Sequence, residues 1–110
     1  MAHYLVQGAY TPEAWAALLK NPQNRFALLP PVLEKLGARL EAAYFTFGKY
    51  DTVFIMEAPD NVSAAALSLA VTAGGAFKAF ETTPLMTIEE GIEAMRKGAE
   101  IAATYRPPMQ

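Results

Sequence analysis

The chain has 110 residues, enough for one hydrophobic core and not for two. Apolar residues make up 53% and charged residues 18% of it, against about 45–50% and about 25% in an ordinary soluble domain. A formal charge of −2 excludes the basic footprint of a nucleic-acid backbone binder, and the lack of cysteine excludes disulfides, thiolate catalysis and thiolate metal sites.

The first element expected is a strand over His3 to Ala9, short and centred on Tyr4, Leu5 and Val6. Thr11 and Pro12 then open a helix as cap and first residue, with Trp15, Leu18 and Leu19 on one side and a stop near "KNPQN". A second helical piece carries Val32, Leu33 and Leu36 and ends at Gly37. Pro30-Pro31 either begins or kinks it, because neither ring nitrogen donates to a carbonyl one turn back. "RLEAAYFTF" and "TVFIMEA" read as two strands whose short "GKYD" connection makes them antiparallel neighbours. Pro59 stops the second of these, and Asp60 is placed to cap a helix running to Gly74-Gly75. "AFKAFETTPL" is the fourth strand, and "TIEE" is a capping box ahead of a last helix with Ile88, Ile92, Met95 and Ala99 on one face.

The order β-α-β-β-α-β plus a C-terminal helix predicts an α+β, ferredoxin-like domain over residues 1–104. It has a four-stranded antiparallel sheet with helices on one face, and 105–110 form a tail. Both parities of the second and third strands are apolar, so the face without helices is not a wetted one. The helix from Asp60 to Gly75 is apolar on most sides. Its expected core stripe is Val62, Ala65, Ala66, Leu69 and Ala73, with Leu67 and Val71 in a second stripe. The cheapest cover for both surfaces is another copy of the chain. A homo-oligomer, at least a dimer, is therefore the expected partner.

The start of the chain, "MAHYLVQGAY", has neither a basic n-region nor a long apolar h-region. The longest uncharged stretch, Asn61 to Phe77, is too short and polar to cross a bilayer. The expectation is a cytoplasmic protein with no membrane partner.

Several residues are candidates for function. Tyr50 and Asp51 sit in the hairpin, where Gly48 with a positive φ and Asp51 bonding a backbone N–H two residues on would be plain turn chemistry. Tyr50 is the residue that turn chemistry leaves unexplained. With Tyr44, Phe47 and Trp15 it forms an expected ligand-binding set for a small apolar or aromatic molecule, with Thr46 and Glu81 as further polar members. His3 and Glu57 are the candidate proton-transfer groups. The first has a side chain that titrates near neutrality, and the second lies in an apolar strand where burial would raise its pKa. No second histidine, thiolate or spaced carboxylate cluster is visible, so neither a metal site nor a cofactor is expected. "GKYDTVFI" echoes an RNA-recognition strand but has Lys and Gly reversed, an acidic Asp51, and Thr52 where a second stacking aromatic is required.

The segments "HYLVQGAYTPE" and "LEKLGARLEAAYFTFGKYDTVFIMEAPDN", continuing to the strand ending at Met86, resemble the GYD-domain family. The most specific stretch is Leu33 to Asp60, with Glu34-Lys35-Leu36-Gly37, Phe45, Phe47, Gly48, Tyr50-Asp51 and Glu57-Ala58-Pro59-Asp60 in the family's order. The resemblance implies a ferredoxin-like, dimeric α/β-barrel fold in small, mostly bacterial proteins, without an established reaction or catalytic residue. The wider group includes cofactor-independent monooxygenases and small isomerases, as well as proteins without known chemistry. An enzyme of that type and a purely structural or regulatory partner protein are thus the alternatives to a ligand-binding homo-oligomer. "FALLPPV" departs from the charged, uninterrupted helix usual in relatives.

Overall fold

The computed structural model describes residues 1–109. Strands Ala2–Tyr10 (β1), Arg39–Phe45 (β2), Thr52–Ala58 (β3) and Phe77–Leu85 (β4) form one antiparallel sheet in the order β2-β3-β1-β4. The helices are Pro12–Lys20 (α1), Leu29–Lys35 (α2), Asn61–Ala73 (α3) and Ile88–Ala102 (α4), and a 3-10 turn over Arg25–Leu28 precedes α2. This is the expected ferredoxin-like α+β arrangement, with the C-terminal helix added.

Local chemistry sets the element ends. Thr11 caps α1 by accepting from the Ala14 N–H at 3.1 Å, with Pro12 in the first turn, where a missing N–H costs nothing. Pro30 and Pro31 play the same part in α2, so they begin that helix and do not kink it. Gly37 follows α2 at a φ of 69°, and the Ala38 N–H reaches the Leu33 carbonyl at 2.9 Å, a left-handed helix stop that favours glycine. Asp60 caps α3 through the Ser63 N–H at 2.8 Å, and Thr87 and Glu90 close a reciprocal capping box on α4.

Strand alternation divides the side chains between two faces. Tyr4 pairs with Met56 and Val6 with Phe54, and all four are buried against the helices with Leu33, Ala64 and Leu67. The intervening pairs, His3 with Glu57, Leu5 with Ile55 and Gln7 with Val53, point to the bare face and are half-buried. That face carries Ala42 and Tyr44 from β2 and Glu81, Thr83 and Leu85 from β4, mixing apolar and charged residues.

Three expectations need correction. The core stripe of α3 is Ala64, Leu67 and Val71, and the stripe expected to be inside faces out, with Val62 79% and Leu69 71% exposed. An alanine-rich helix gives periodicity little contrast, and the two large residues that reach the sheet decided the rotation. β2 leaves the ladder at Phe45 and not at Phe47, because the Thr46 hydroxyl donates to the Tyr50 carbonyl at 2.6 Å and closes the loop early. Gly48 does not have a positive φ; among the described residues only Gly37 and Gly75 do.

α4 buries none of its residues against the rest of the chain. Ile88 and Met95 are 78% and 72% exposed, and Ile92 and Ile101 are exposed beside them. The radius of gyration is 17.7 Å, against about 13 Å for a compact chain of about 100 residues, because α4 stands off the domain. No helix is long and apolar enough to cross a membrane, among the described residues.

Candidate functional site

The hairpin corner is held by polar bonds that run to other elements. Asp51 does not bond a backbone N–H two residues on. Its Oδ2 accepts from the Tyr10 N–H at 2.9 Å and from the Trp15 indole N–H at 3.1 Å, tying the β2–β3 loop to the junction of β1 and α1. Its own N–H donates to the Gly8 carbonyl at 2.8 Å. Tyr50 lies over the bare face of its own sheet, and its hydroxyl donates to Glu81 on β4. The phenol therefore spans β1, which lies between β3 and β4 in the sheet. That bond, with desolvation second, raises the Tyr50 pKa above the ordinary tyrosine value. Lys49 Nζ sits 5.7 Å from the Tyr50 ring centroid.

The other expected ligand residues do not converge. Phe47 is fully exposed at the loop, Tyr44 is exposed on the edge strand, and Trp15 stands edge-on to Tyr10 with ring centroids 5.3 Å apart.

At the opposite end of the bare face, His3, Glu41 and Glu57 come together. One imidazole nitrogen contacts Glu41, the other lies 3.5 Å from Glu57, and the three ligand-capable atoms fall within 4.8 Å of one another. A carboxylate cluster thus forms where none was expected. Glu41 has the parity of Arg39, which pairs with Glu57, so alternation places it on the face that carries His3 and Glu57; the register irregularity between Leu40 and Ala42 then puts Ala42 on that face as well. The three residues are geometrically able to hold a divalent cation, but Arg39 competes for Glu57, its Nε donating to Oε2 at 3.0 Å. The Arg39 guanidinium holds the Glu57 carboxyl below the usual carboxylate range. The burial that would have made Glu57 a base is outweighed by this pairing.

The covered face of the sheet contains a cleft of about 410 Å³ between α2 with its preceding 3-10 turn on one side and α3 on the other. Phe26, Leu29 and Val32 line one wall and Leu67 and Val71 the other. The floor is Phe54 and Thr52, and Phe77, Phe80 and Tyr10 close one end. Tyr10 stacks on Phe77 with centroids 4.4 Å apart, and Phe77 meets Phe80 at 5.3 Å. Gly8 makes room for this end, since a Cβ there would stand 2.6 Å from the Phe77 ring. Arg25 is the one charged residue of the lining, and Tyr10 its other titratable group. Burial raises the Tyr10 pKa, the nearby Arg25 charge opposes that, and Asp51 adds to it.

None of the five residues expected to bind a ligand lines this cleft, although Trp15 and Asp51 buttress Tyr10 from behind. Sequence reading missed Tyr10, Arg25 and Phe26. The available signal was a lone cation beside an aromatic in "NRFALL", between two helices.

An antiparallel sheet of order β2-β3-β1-β4 with helices on one face defines a ferredoxin-like α+β protein. Within that class the chain belongs to the GYD domain family, whose sequence model matches residues 4–95. Among solved structures it is similar to the one described as the crystal structure of FFRP-DM1, at 13% identity and a TM-score of 0.48, covering 78% of this chain and 100% of that one. No curated protein matches it.

Proposed function

We propose that the protein is a small-ligand-binding domain acting as a homo-oligomer, with an apolar ligand held in the cleft between α2 and α3. The observation that carries this is the cleft itself. Its volume of about 410 Å³ lies within the roughly 300–1,000 Å³ of small-molecule sites, and its lining is aromatic and aliphatic with few polar groups. The Tyr50–Asp51 corner fits a ligand less well, because Asp51 is engaged by Tyr10 and Trp15 and Tyr50 by Glu81. Binding is favoured over a monooxygenase or isomerase reaction because the cleft lining contains no carboxylate or imidazole to move a proton.

Self-association is supported by the apolar stripe of α4, the outward Val62 and Leu69 of α3, and the apolar residues of the bare sheet face. A second copy seated on that face in the dimeric α/β-barrel manner would cover it.

A thermal-shift panel of small aromatic and alicyclic compounds tests the ligand reading, run on the natural chain and on Ala70→Trp, which fills the cleft from an exposed helix position. Stabilisation of the natural chain that is lost in Ala70→Trp is the expected result. Equal stabilisation of both places the ligand elsewhere, and no stabilisation by any compound favours a structural or regulatory partner protein. Sedimentation velocity at micromolar concentration tests the assembly. A dimer or larger species is expected, falling to monomer in Ile92→Glu/Met95→Glu, and a monomeric natural chain would overturn the oligomer.

A further inference from the structure

We infer that the ligand of the cleft is an apolar monocarboxylate, its ring or chain against Phe26, Phe77 and Phe80 and its carboxylate shared between Arg25 and the Tyr10 hydroxyl. The inference rests on the cleft being the ligand site and adds the chemical class of what enters it. Tyr10 is 6% exposed, yet its hydroxyl has no hydrogen-bond partner among the described residues. The hydroxyl is therefore the part of Tyr10 that meets open space, at the end of an apolar cavity and with no protein acceptor among the described residues, a donor open to whatever enters. Like any tyrosine hydroxyl it is protonated at neutral pH, and burial raises its pKa further.

Arg25 supplies the charge. Among the described residues its guanidinium has no carboxylate within ion-pair distance, while Arg39 and Arg96 are both paired. The nearby acid, Asp51, is occupied by the Tyr10 and Trp15 N–H groups. The Thr52 hydroxyl faces the Gly8 carbonyl at 3.4 Å, which leaves Arg25 and Tyr10 as the open polar groups. One cation and one neutral donor suit a monoanion. A phosphate, with its higher charge and additional acceptor oxygens, is better served by clustered arginines or several backbone donors, which this lining lacks. The adjacent aromatic walls exclude water from one side of the pair and so strengthen it.

Isothermal titration of the full chain with 2-naphthoate and with the uncharged 2-naphthamide tests this, on the natural protein and on Arg25→Gln. The carboxylate is expected to bind the natural protein about tenfold tighter than the amide, equivalent to about 1.4 kcal/mol. That preference should vanish in Arg25→Gln while amide affinity stays the same. Equal binding of both compounds to the natural protein, or a preference that survives Arg25→Gln, overturns the carboxylate and leaves the cleft as a neutral apolar site. Binding of neither compound contradicts both readings.

Discussion

The two faces of the sheet are built from the same four strands and do opposite things with their polar groups. On the covered face Tyr4 gives its hydroxyl to Asn61 at 2.6 Å, the other core side chains are apolar, and the Tyr10 hydroxyl and the Arg25 guanidinium, without a partner among the described residues, border the remaining space. On the bare face the charged groups and Tyr50 pair with one another, Tyr50 with Glu81, His3 with Glu41, and Arg39 with Glu57, while Gln7 and Thr83 make no side-chain hydrogen bond among the described residues. Between those pairs lie Leu5, Val53, Ile55 and Ala42, half-buried with no helix above them. Polar groups bonded within the chain make poor ligand hooks, but they let a surface be covered without leaving unsatisfied donors. On the function proposed above, the covered face takes the small molecule and the bare face meets another subunit.

The strongest way to break this comparison is a matched pair of truncations. Leu67→Ala, in the packed core, should cost about 2–5 kcal/mol in urea unfolding, as buried leucines do. Ile55→Ala on the bare face should leave the dissociated protein within about 1 kcal/mol of the natural chain while weakening self-association. Equal losses in the dissociated state would mean that the bare face is already packed within one chain.

Next in size is the hairpin corner. Asp51→Ala strands the Tyr10 and Trp15 N–H groups and should cost about 2–3 kcal/mol, with a red shift of Trp15 fluorescence. Tyr50→Phe should be much milder in the same assay, because its bond to Glu81 lies at an exposed surface. A Tyr50 effect as large as that of Asp51 would make the phenol, and not the carboxylate, the anchor of the corner.

Smaller effects appear in the pH dependence. The Tyr10 and Tyr50 pKa values are both raised, so their contributions to stability are complete below the ordinary tyrosine range. They are lost as the pH rises through the raised values. Ultraviolet titration should show late-ionising phenols, one of which disappears in Tyr10→Phe and one in Tyr50→Phe. Glu57 behaves in the opposite sense. Its pKa is lowered by Arg39, so its contribution is present above the ordinary carboxylate range and fades as the pH falls through the lowered value. Arg39→Gln should flatten that part of the acid limb, and an unchanged limb would show the pair to be energetically idle.

Much of the fold was legible because local chemistry and global arrangement agree. Thr11, Asp60 and Thr87 cap the helices they were expected to cap, Gly37 ends α2, the short loop pairs β2 with β3, and the β-α-β-β-α-β order of elements gives the rest of the sheet. The rotation of α3 was not legible, since alanine on every side leaves periodicity without contrast and Val62 and Leu69 look as suited to a core as Leu67 and Val71. The hairpin also misled. Glycine and aspartate in a tight loop suggest local bonding, yet Asp51 is held 41 residues away in sequence, at Tyr10. The same distance hid the cleft. Tyr10 ends β1, Arg25 begins a short turn after α1, and only the packing of α2 beside α3 brings them to one cavity.

Amide chemical-shift mapping during titration of 2-naphthoate into the isotopically labelled protein tests the division between the two faces most directly. Shifts concentrated at Phe26, Val71, Phe77 and Phe80, with Leu5, Tyr44, Ile55 and Glu81 unmoved, are the predicted result. Shifts concentrated at Leu5, Tyr44, Ile55 and Glu81, with the cleft residues unmoved, would contradict it.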